Sequence, residues 1–395
     1  MTSRPRRIVF LGTHGQYNVG DELLLETFLT TLGPEHRYVV NSYDPAFTRR
    51  QLAGRFDVTV IDTARDRHRL LRALRSCDVV CFGGGSIVKE LYASTGRHRY
   101  ATLLMILAIV TFTRWVARRP VAMLHVGVGP LPSGGGLRLA RLVLAQVDVL
   151  TVRDLRSRAT CDRVGVPAVV VPAVVVPAVV VPDAVFSVDR AALLGDGAAP
   201  EPPGDATGPL RVALNLNVDV ENPAAWEQFL TALAGALVHL DARHGVDVHT
   251  LPMQTGFKEH DDAQVLAAFA ARLPGVRVVH HAVATPADAA RLVAACDLVV
   301  AERLHTIVLA AVLGVAPFVL AYDVKVRELA RTLHVEPWTV DVNDPPGVDV
   351  VAARLLDLAD RRAQVARAVA DRGAALHREA VAALADARAW VARAG

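Results

Sequence analysis

The chain has 395 residues, more than one ordinary hydrophobic core accommodates, so two domains are expected. A hydrophobic content of 52% with only 21% charged residues excludes a disordered protein and points to well-buried strands. With 43 basic against 40 acidic residues the net charge is only +3, which gives no electrostatic reason to expect nucleic acid as a partner.

The opening MTSRPRRIVFLG runs from basic residues directly into a strand pattern with no cleavage site, and so reads as no signal peptide. Apolar runs at Ile8–Gly12, Tyr38–Ser42, Val58–Asp62, Val79–Phe82, Val121–Val126 and Val149–Arg153 alternate with helical patterns. That alternation predicts a parallel sheet with crossover helices. The apolar stretch Ala101–Thr113 is shorter than the roughly 20 residues of a spanning helix, and a buried helix is expected there. It runs into Arg114-Trp115 and Arg118-Arg119, so an interfacial helix touching a membrane-bound substrate is the alternative. From Pro167 the unit Pro-Ala-Val-Val-Val occurs three times. Its proline every fifth residue suits neither helix nor ladder. One copy is expected to be a strand leading into Pro182-Asp183, the others a looped-out or edge duplication that is an aggregation hazard.

Residues 190–209 are rich in Gly, Pro and Ala without apolar period and read as a linker between a first domain, 1–189, and a second, 210–345. In the second domain Val212–Asn215, Val248–Pro252, Val276–Val279, Leu298–Ala301 and Phe318–Ala321 are the expected strands, and 346–395 reads as terminal helices. Two Rossmann-like α/β domains facing across a cleft follow, with ligands at the carboxyl ends of the strands. The four cysteines, Cys77, Cys81, Cys161 and Cys296, form no C-x-x-C pair. That argues against a zinc site and a disulfide framework, leaves metal ligands at none, and fits a reduced cytoplasmic setting.

The candidate functional residues all lie where strands end. Gly12-Thr13-His14-Gly15, then Asn18-Val19-Gly20-Asp21-Glu22, joins the first strand to the first helix. Free backbone amides there suit an anion, although Asn18 or Asp21 could equally cap the helix. The spacing is not that of a dinucleotide fingerprint, and no Walker lysine follows. Gly83-Gly84-Gly85-Ser86 follows another strand, where a ligand could approach the backbone closely or the chain could make a wide turn. Gly127-Val128-Gly129-Pro130 brings a third loop to the same rim. Arg153 can grip a carboxylate or phosphate with its planar fork, or pair with Asp154 or another local carboxylate. In the second domain Arg303 and His305 stand at a strand-to-helix junction, where a cation and helix-end amides suit a phosphate and an imidazole can donate a proton. Lys325 follows the next strand, while Gln254 and Asp261 follow an earlier one.

Taken in order, Asn18-Val19-Gly20-Asp21-Glu22, Gly83-Gly84-Gly85-Ser86, Gly127-Val128-Gly129-Pro130, Val152-Arg153-Asp154, Pro182-Asp183, Pro252-Met253-Gln254, Arg303-Leu304-His305 and Tyr322-Asp323-x-Lys325 resemble the polysaccharide pyruvyltransferase family over roughly residues 7–335. The chain departs from the family's pattern at Ala184, where proline is frequent, and at Glu302, where a glycine–hydrophobic pair precedes the arginine. The resemblance implies a GT-B-like pair of Rossmann-like domains and transfer of pyruvate from phosphoenolpyruvate to a saccharide as a ketal, with release of phosphate. Phosphoenolpyruvate is then a co-substrate and no other cofactor is called for. Arg153, Arg303 and Lys325 are the expected cations, and His305 the expected acid. Asn18, Gly20, Asp21, Gly83, Gly84, Gly85, Ser86 and Gln254 are the expected substrate-binding residues. The first domain is expected to hold a cell-envelope or exopolysaccharide acceptor and the second phosphoenolpyruvate, in the cytoplasm or at the inner face of its membrane. Lipid linkage of the acceptor and the oligomeric state stay open. A GT-B glycosyltransferase using a nucleotide-sugar donor is the first alternative, and a saccharide-binding scaffold without activity the second.

Overall fold

A computed structural model describes residues 4–91, 97–166, 169–171, 174–176, 179–195, 208–217, 223–257 and 261–394. The chain divides into two compact units. The first comprises Met1–Gln16, Asp21–Ser187 and Arg378–Gly395, the second Tyr17–Gly20 and Val188–His377.

In the first unit the strands are β1 (Arg7–Leu11), β2 (Arg37–Ser42), β3 (Asp57–Asp62), β4 (Val79–Gly83), β5 (Val121–Val126), β6 (Val149–Val152), β7 (Val169–Val171), β8 (Val174–Val176) and β9 (Val179–Val180). Between them run α1 (Val19–Leu32), α2 (Pro45–Leu52), α3 (Arg67–Ser76), α4 (Ala101–Thr111), α5 (Gly134–Leu144) and α6 (Leu155–Arg163). Seven of the strands form one sheet in the order β3-β2-β1-β4-β5-β6-β9, with every pair parallel. Strands covered on both faces need continuous apolar runs. Thus Val-Val-Cys-Phe-Gly of β4 and Val-Ala-Met-Leu-His-Val of β5 are buried at every position.

In the second unit α7 (Arg190–Leu194) precedes β10 (Leu210–Asn215), α8 (Pro223–His244), β11 (Val246–Thr250), α9 (Asp262–Ala270), β12 (Arg277–Val279) and α10 (Pro286–Ala294). These are followed by β13 (Leu298–Ala301), α11 (Leu304–Leu313), β14 (Ala316–Ala321), α12 (Val324–Thr332), β15 (Thr339–Asp341) and α13 (Val348–Arg393). Here too the sheet is wholly parallel, in the order β12-β11-β10-β13-β14-β15. The six leading strands of each unit therefore repeat the doubly wound Rossmann order. Its switch point lies between β1 and β4 in the first unit and between β10 and β13 in the second.

All twelve strands expected from the sequence are present, counting the repeat copy that forms β9, and the structure differs from expectation in four places. The linker reading is too long at its start, because Arg190–Leu194 form α7 in the second unit; residues 196–207 of that stretch lie outside the described residues. Residues 346–395 hold one 46-residue helix rather than several, and its last part, from Arg378, counts with the first unit. β15 was not expected, because three residues starting at Thr339 leave too short a period to read. The fourth correction concerns Ala101–Thr113, which is only half-buried. Leu103, Ile106 and Val110 of α4 face the core, whereas Leu104 and Met105 are exposed. A π-helical turn, Phe112–Ala117, continues α4 and exposes Trp115 and Val116.

The valine repeats divide their work. β7 and β8 pair with each other as an antiparallel two-stranded sheet, while β9 adds to β6 and leads into Pro182-Asp183. Pro167, Ala168, Pro172, Ala173, Pro177 and Ala178 lie outside the described residues. The four cysteines are buried and free, and burial pushes the Cys77 thiol up to about 11 and those of Cys161 and Cys296 to about 12. No helix among the described residues is long and apolar enough to cross a membrane.

Candidate functional site

At the switch point of the second unit, Asn215 closes β10 and joins the loops that follow its neighbours. Its Oδ1 accepts the Arg303 backbone N–H at 2.9 Å, and its Nδ2 donates to the Leu251 carbonyl at 3.0 Å. Asp262, the first residue of α9 and only 2% exposed, gathers a larger set of donors. Its Oδ2 accepts Arg303 Nε at 2.7 Å and the amides of Met253 and Gln254 at 3.0 and 3.1 Å. Its Oδ1 accepts Arg303 Nη2 at 2.6 Å, completing a bidentate pair. Arg303 Nη2 also donates to Gln254 Oε1 at 3.2 Å. The guanidinium is thus oriented from two sides before any ligand arrives, while 14% of the side chain stays open.

Residues far upstream complete this cluster. Asn18 bridges to Gln254 in antiparallel fashion, and Val19 N–H donates to the Met253 carbonyl at 2.9 Å. Asn18 Oδ1 accepts from Gly20 N–H at 3.0 Å, so Asn18 does act as a local cap and also carries the segment against the second sheet. Gly20 lies directly on the His305 imidazole, and a Cβ at that position would overlap the ring. That close approach is what requires glycine there. His305 occupies the first turn of α11, whose N-cap residue Arg303 makes no side-chain cap bond. The sequence departure at Glu302 is explained locally. Fully buried, it accepts from Asn217 N–H at 2.7 Å and from Asn217 Nδ2 at 3.1 Å, tying the β13 loop to the β10 loop. Lys325 lies one strand further out, after β14, where it pairs with Asp323 at 2.9 Å.

The remaining expected residues belong to the first unit and form a second cluster. Arg153, 7% exposed, donates to Ser86 Oγ at 3.0 Å and to Asp183 Oδ2 at 3.4 Å. Its carboxylate partner is Asp183, not the adjacent Asp154, which caps α6 by accepting from Ser157 N–H. Gly127 N–H donates to the Gly85 carbonyl at 2.8 Å, joining the loops after β4 and β5, and Val128 N–H donates to Ser157 Oγ of α6 at 2.9 Å. Of the three glycines, Gly83 is required by the Phe10 ring beneath it, and Gly84 and Gly85 by left-handed φ values of 61° and 67°. Local packing therefore accounts for much of that signal. Asp21, in the first turn of α1, counts with this unit, whereas Asn18 and Gly20 count with the second.

Sequence reasoning missed several polar groups. It named Asp261, which caps α9, and passed over Asp262, which holds Arg303. Two adjacent aspartates at a helix start carry the same pattern, and only the tertiary fold distinguishes them. Glu22 and His14 stand in the motif after β1, but the sequence assigns neither a role of its own. Glu22 Oε1 accepts Gly15 N–H at 2.7 Å, and burial raises its carboxyl from an ordinary 4.5 to about 8. His14 is fully buried, its Nδ1 lies 3.2 Å from the Asn41 carbonyl, and burial lowers it from 6.5 to about 4.

These two shifts set opposite pH dependences. Glu22 keeps its proton in the folded chain where the unfolded chain has lost it, so stability falls as pH rises from about 4.5 to about 8. His14 stays neutral in the folded chain, so stability is lost as pH falls from 6.5 towards about 4. The two offset each other at mildly acidic pH and leave a decline between about 6.5 and 8. Replacing Glu22→Gln should flatten that decline in melting experiments across pH. A wild-type curve already flat over the same interval would contradict the assignment.

The two doubly wound parallel sheets define a GT-B-like fold. Solved structures with the same fold include HepE of Anabaena in complex with UDP-glucose, at 15% identity and TM-score 0.64 over 98% of each chain. A glycosyltransferase of Rickettsia africae matches at 11% and 0.58, covering 99% of this chain and 98% of its own. The UDP-GlcNAc 2-epimerase of Neisseria meningitidis, bound to UDP-GlcNAc, matches at 10% and 0.54, covering 95% and 97%. At such identities the likeness concerns the fold. No curated protein sequence matches the chain significantly. The family model for polysaccharide pyruvyl transferase matches residues 18–324, and the chain belongs to that family of transferases.

Proposed function

We propose that the chain transfers the pyruvyl group of phosphoenolpyruvate to two hydroxyls of a cell-envelope or exopolysaccharide saccharide, forming a cyclic ketal and releasing phosphate. The observation that carries this reading is the convergence of Asn18, Gly20, Gln254, Asp262, Arg303 and His305 in the second unit, from segments more than two hundred residues apart. A cation with fixed orientation, beside a helix N-terminus and an imidazole, suits an anion that must be protonated on carbon.

In this reading the phosphate and carboxylate of phosphoenolpyruvate meet Arg303, the first turn of α11 and Lys325. Asp262 and Gln254 fix the direction of the Arg303 fork. His305 gives a proton to the methylene carbon C3, and C2 becomes electrophilic. A sugar hydroxyl adds to C2 and loses its proton. Phosphate then departs with its C2–O bond, and a second hydroxyl closes the ring as its proton is released. The overall exchange is one phosphoenolpyruvate and one diol for one ketal and one phosphate. Arg153, Ser86 and the glycine loops of the first unit hold the acceptor.

Incubation with phosphoenolpyruvate and a panel of cell-envelope saccharides tests the proposal. Phosphate release that depends on the acceptor, matched by a mass gain on that acceptor, is expected. Turnover of UDP-sugars with nucleotide release, and none of phosphoenolpyruvate, would assign the site to glycosyl transfer instead. Turnover of neither donor class with any acceptor would leave the idle scaffold.

A further inference from the structure

The α4 helix and its π-helical continuation carry an apolar stripe that the catalytic reading does not use. Leu104, Met105, Ala108, Trp115 and Val116 are exposed, at a spacing that places them on one side of the helix, opposite the core-facing Leu103, Ile106 and Val110. Trp115 is 69% and Val116 57% exposed, and Trp115 Nε1 donates to Gln146 Oε1 at 3.0 Å. Gln146 in turn donates to the Leu142 carbonyl, so the 53% exposed Leu142 of the adjoining α5 extends the patch. An uncharged exposed face of this length is unusual on a soluble surface and marks a contact surface.

What rims the stripe identifies its partner. From Leu91 to Val147 the sequence holds seven arginines and no aspartate, glutamate or lysine, although the whole chain is nearly balanced in charge. Helix α3, which packs against the π-helical turn, adds Arg67, Arg69, Arg72 and Arg75, again without an acidic residue. Arg75 lies over the Phe112 ring at 5.2 Å. Of the rim arginines, Arg114 pairs with Asp148 at 2.7 Å, Arg99 with Glu90 at 3.2 Å and Arg69 with Asp66 at 3.5 Å, while Arg118, Arg138 and Arg141 are exposed. Apolar side chains and a tryptophan flanked by arginines fit a bilayer interface bearing anionic headgroups. A second copy of the chain fits poorly, because a symmetric contact would set arginine rims against each other.

We propose that the α3–α4–α5 face docks on the surface of an anionic phospholipid bilayer, with Leu104, Met105, Trp115 and Val116 entering the headgroup region. The proposal does not depend on the chemistry assigned to the second unit. Under the reading given above it would hold the enzyme beside a lipid-linked saccharide.

The test is co-sedimentation of the full chain with vesicles of phosphatidylcholine alone and with phosphatidylglycerol added. Binding to the anionic vesicles only, weakened by salt, is expected. The double variant Trp115→Glu, Val116→Glu should bind at least about tenfold more weakly with an unchanged melting temperature, since both side chains are exposed. Arg118→Glu should reduce binding while leaving the apolar stripe intact. No binding by the wild type, equal binding to neutral vesicles, or undiminished binding by the double variant would overturn the proposal. So would sedimentation velocity showing a wild-type dimer that the double variant converts to monomer. Loss of vesicle binding with phosphate release intact would separate this surface from the active site.

Discussion

Replacing His305→Ala should lower kcat for phosphate release by about 10²–10⁴-fold, the range of a positioned proton donor, with a smaller change in KM for phosphoenolpyruvate. Gly20 sets the place of the ring. Its backbone lies so close to the imidazole that a methyl group there would displace the ring, and the segment is fixed by the Asn18–Gln254 bridge and the Val19–Met253 hydrogen bond. The ring is therefore positioned by a segment more than two hundred residues away in sequence. Gly20→Ala tests that positioning. Moving the imidazole by an ångström should cost up to about 10²-fold in kcat while the chain stays folded. An unchanged kcat in both variants would remove His305 from the proposed mechanism. A rise in KM alone would make it a binding residue.

Asp262→Asn should produce the largest loss of stability of any single polar change in the second unit. The carboxylate is 2% exposed and satisfies four donors within 3.1 Å: two from Arg303 and the amides of Met253 and Gln254. An asparagine retains the shape but turns an amide N–H₂ towards one side of the donor set. It also strips the part-buried guanidinium of its counter-charge. Breaking a buried pair by removing one partner costs about 3–5 kcal/mol, and urea unfolding of the wild type and variant measures it directly. Arg303→Met should cost less, because Asp262 keeps its two backbone donors and the methionine fills part of the space. The double variant should fall short of the sum of the two losses, since both act on one network. Strict additivity, or a loss for Asp262→Asn within the usual range of surface changes, would mean that the pair does not organise the site.

The positions of the strands were legible because buried parallel strands leave uninterrupted apolar runs, as at β4, β5 and β13. Each expected strand is present with ends shifted by no more than two residues. The candidate residues at strand ends were legible for a related reason: a doubly wound sheet leaves its ligands no other rim to occupy. The polar wiring was not. Nothing local distinguishes Asp261, a cap, from Asp262, the anchor of Arg303, because the distinction arises from β10, β11 and β13 meeting at the switch point. Nor does sequence show that Arg153 bypasses Asp154 for Asp183, thirty residues on. The glycines gave a mixed signal. Gly20 is demanded by the imidazole it touches, whereas Gly83 is demanded by a phenylalanine in the core. For α4 the sequence leaves a buried and an interfacial helix both open, because a 3.6-residue period is hard to see when both faces are apolar.

The proposed delivery of a proton to C3 of phosphoenolpyruvate would leave an isotopic record. With the wild-type chain, phosphoenolpyruvate and an accepted saccharide in deuterium oxide, the ketal should carry one deuterium in its methyl group, with one phosphate released per ketal. A ketal formed without deuterium, or acceptor modification without phosphate release, would contradict the mechanism proposed for Arg303 and His305.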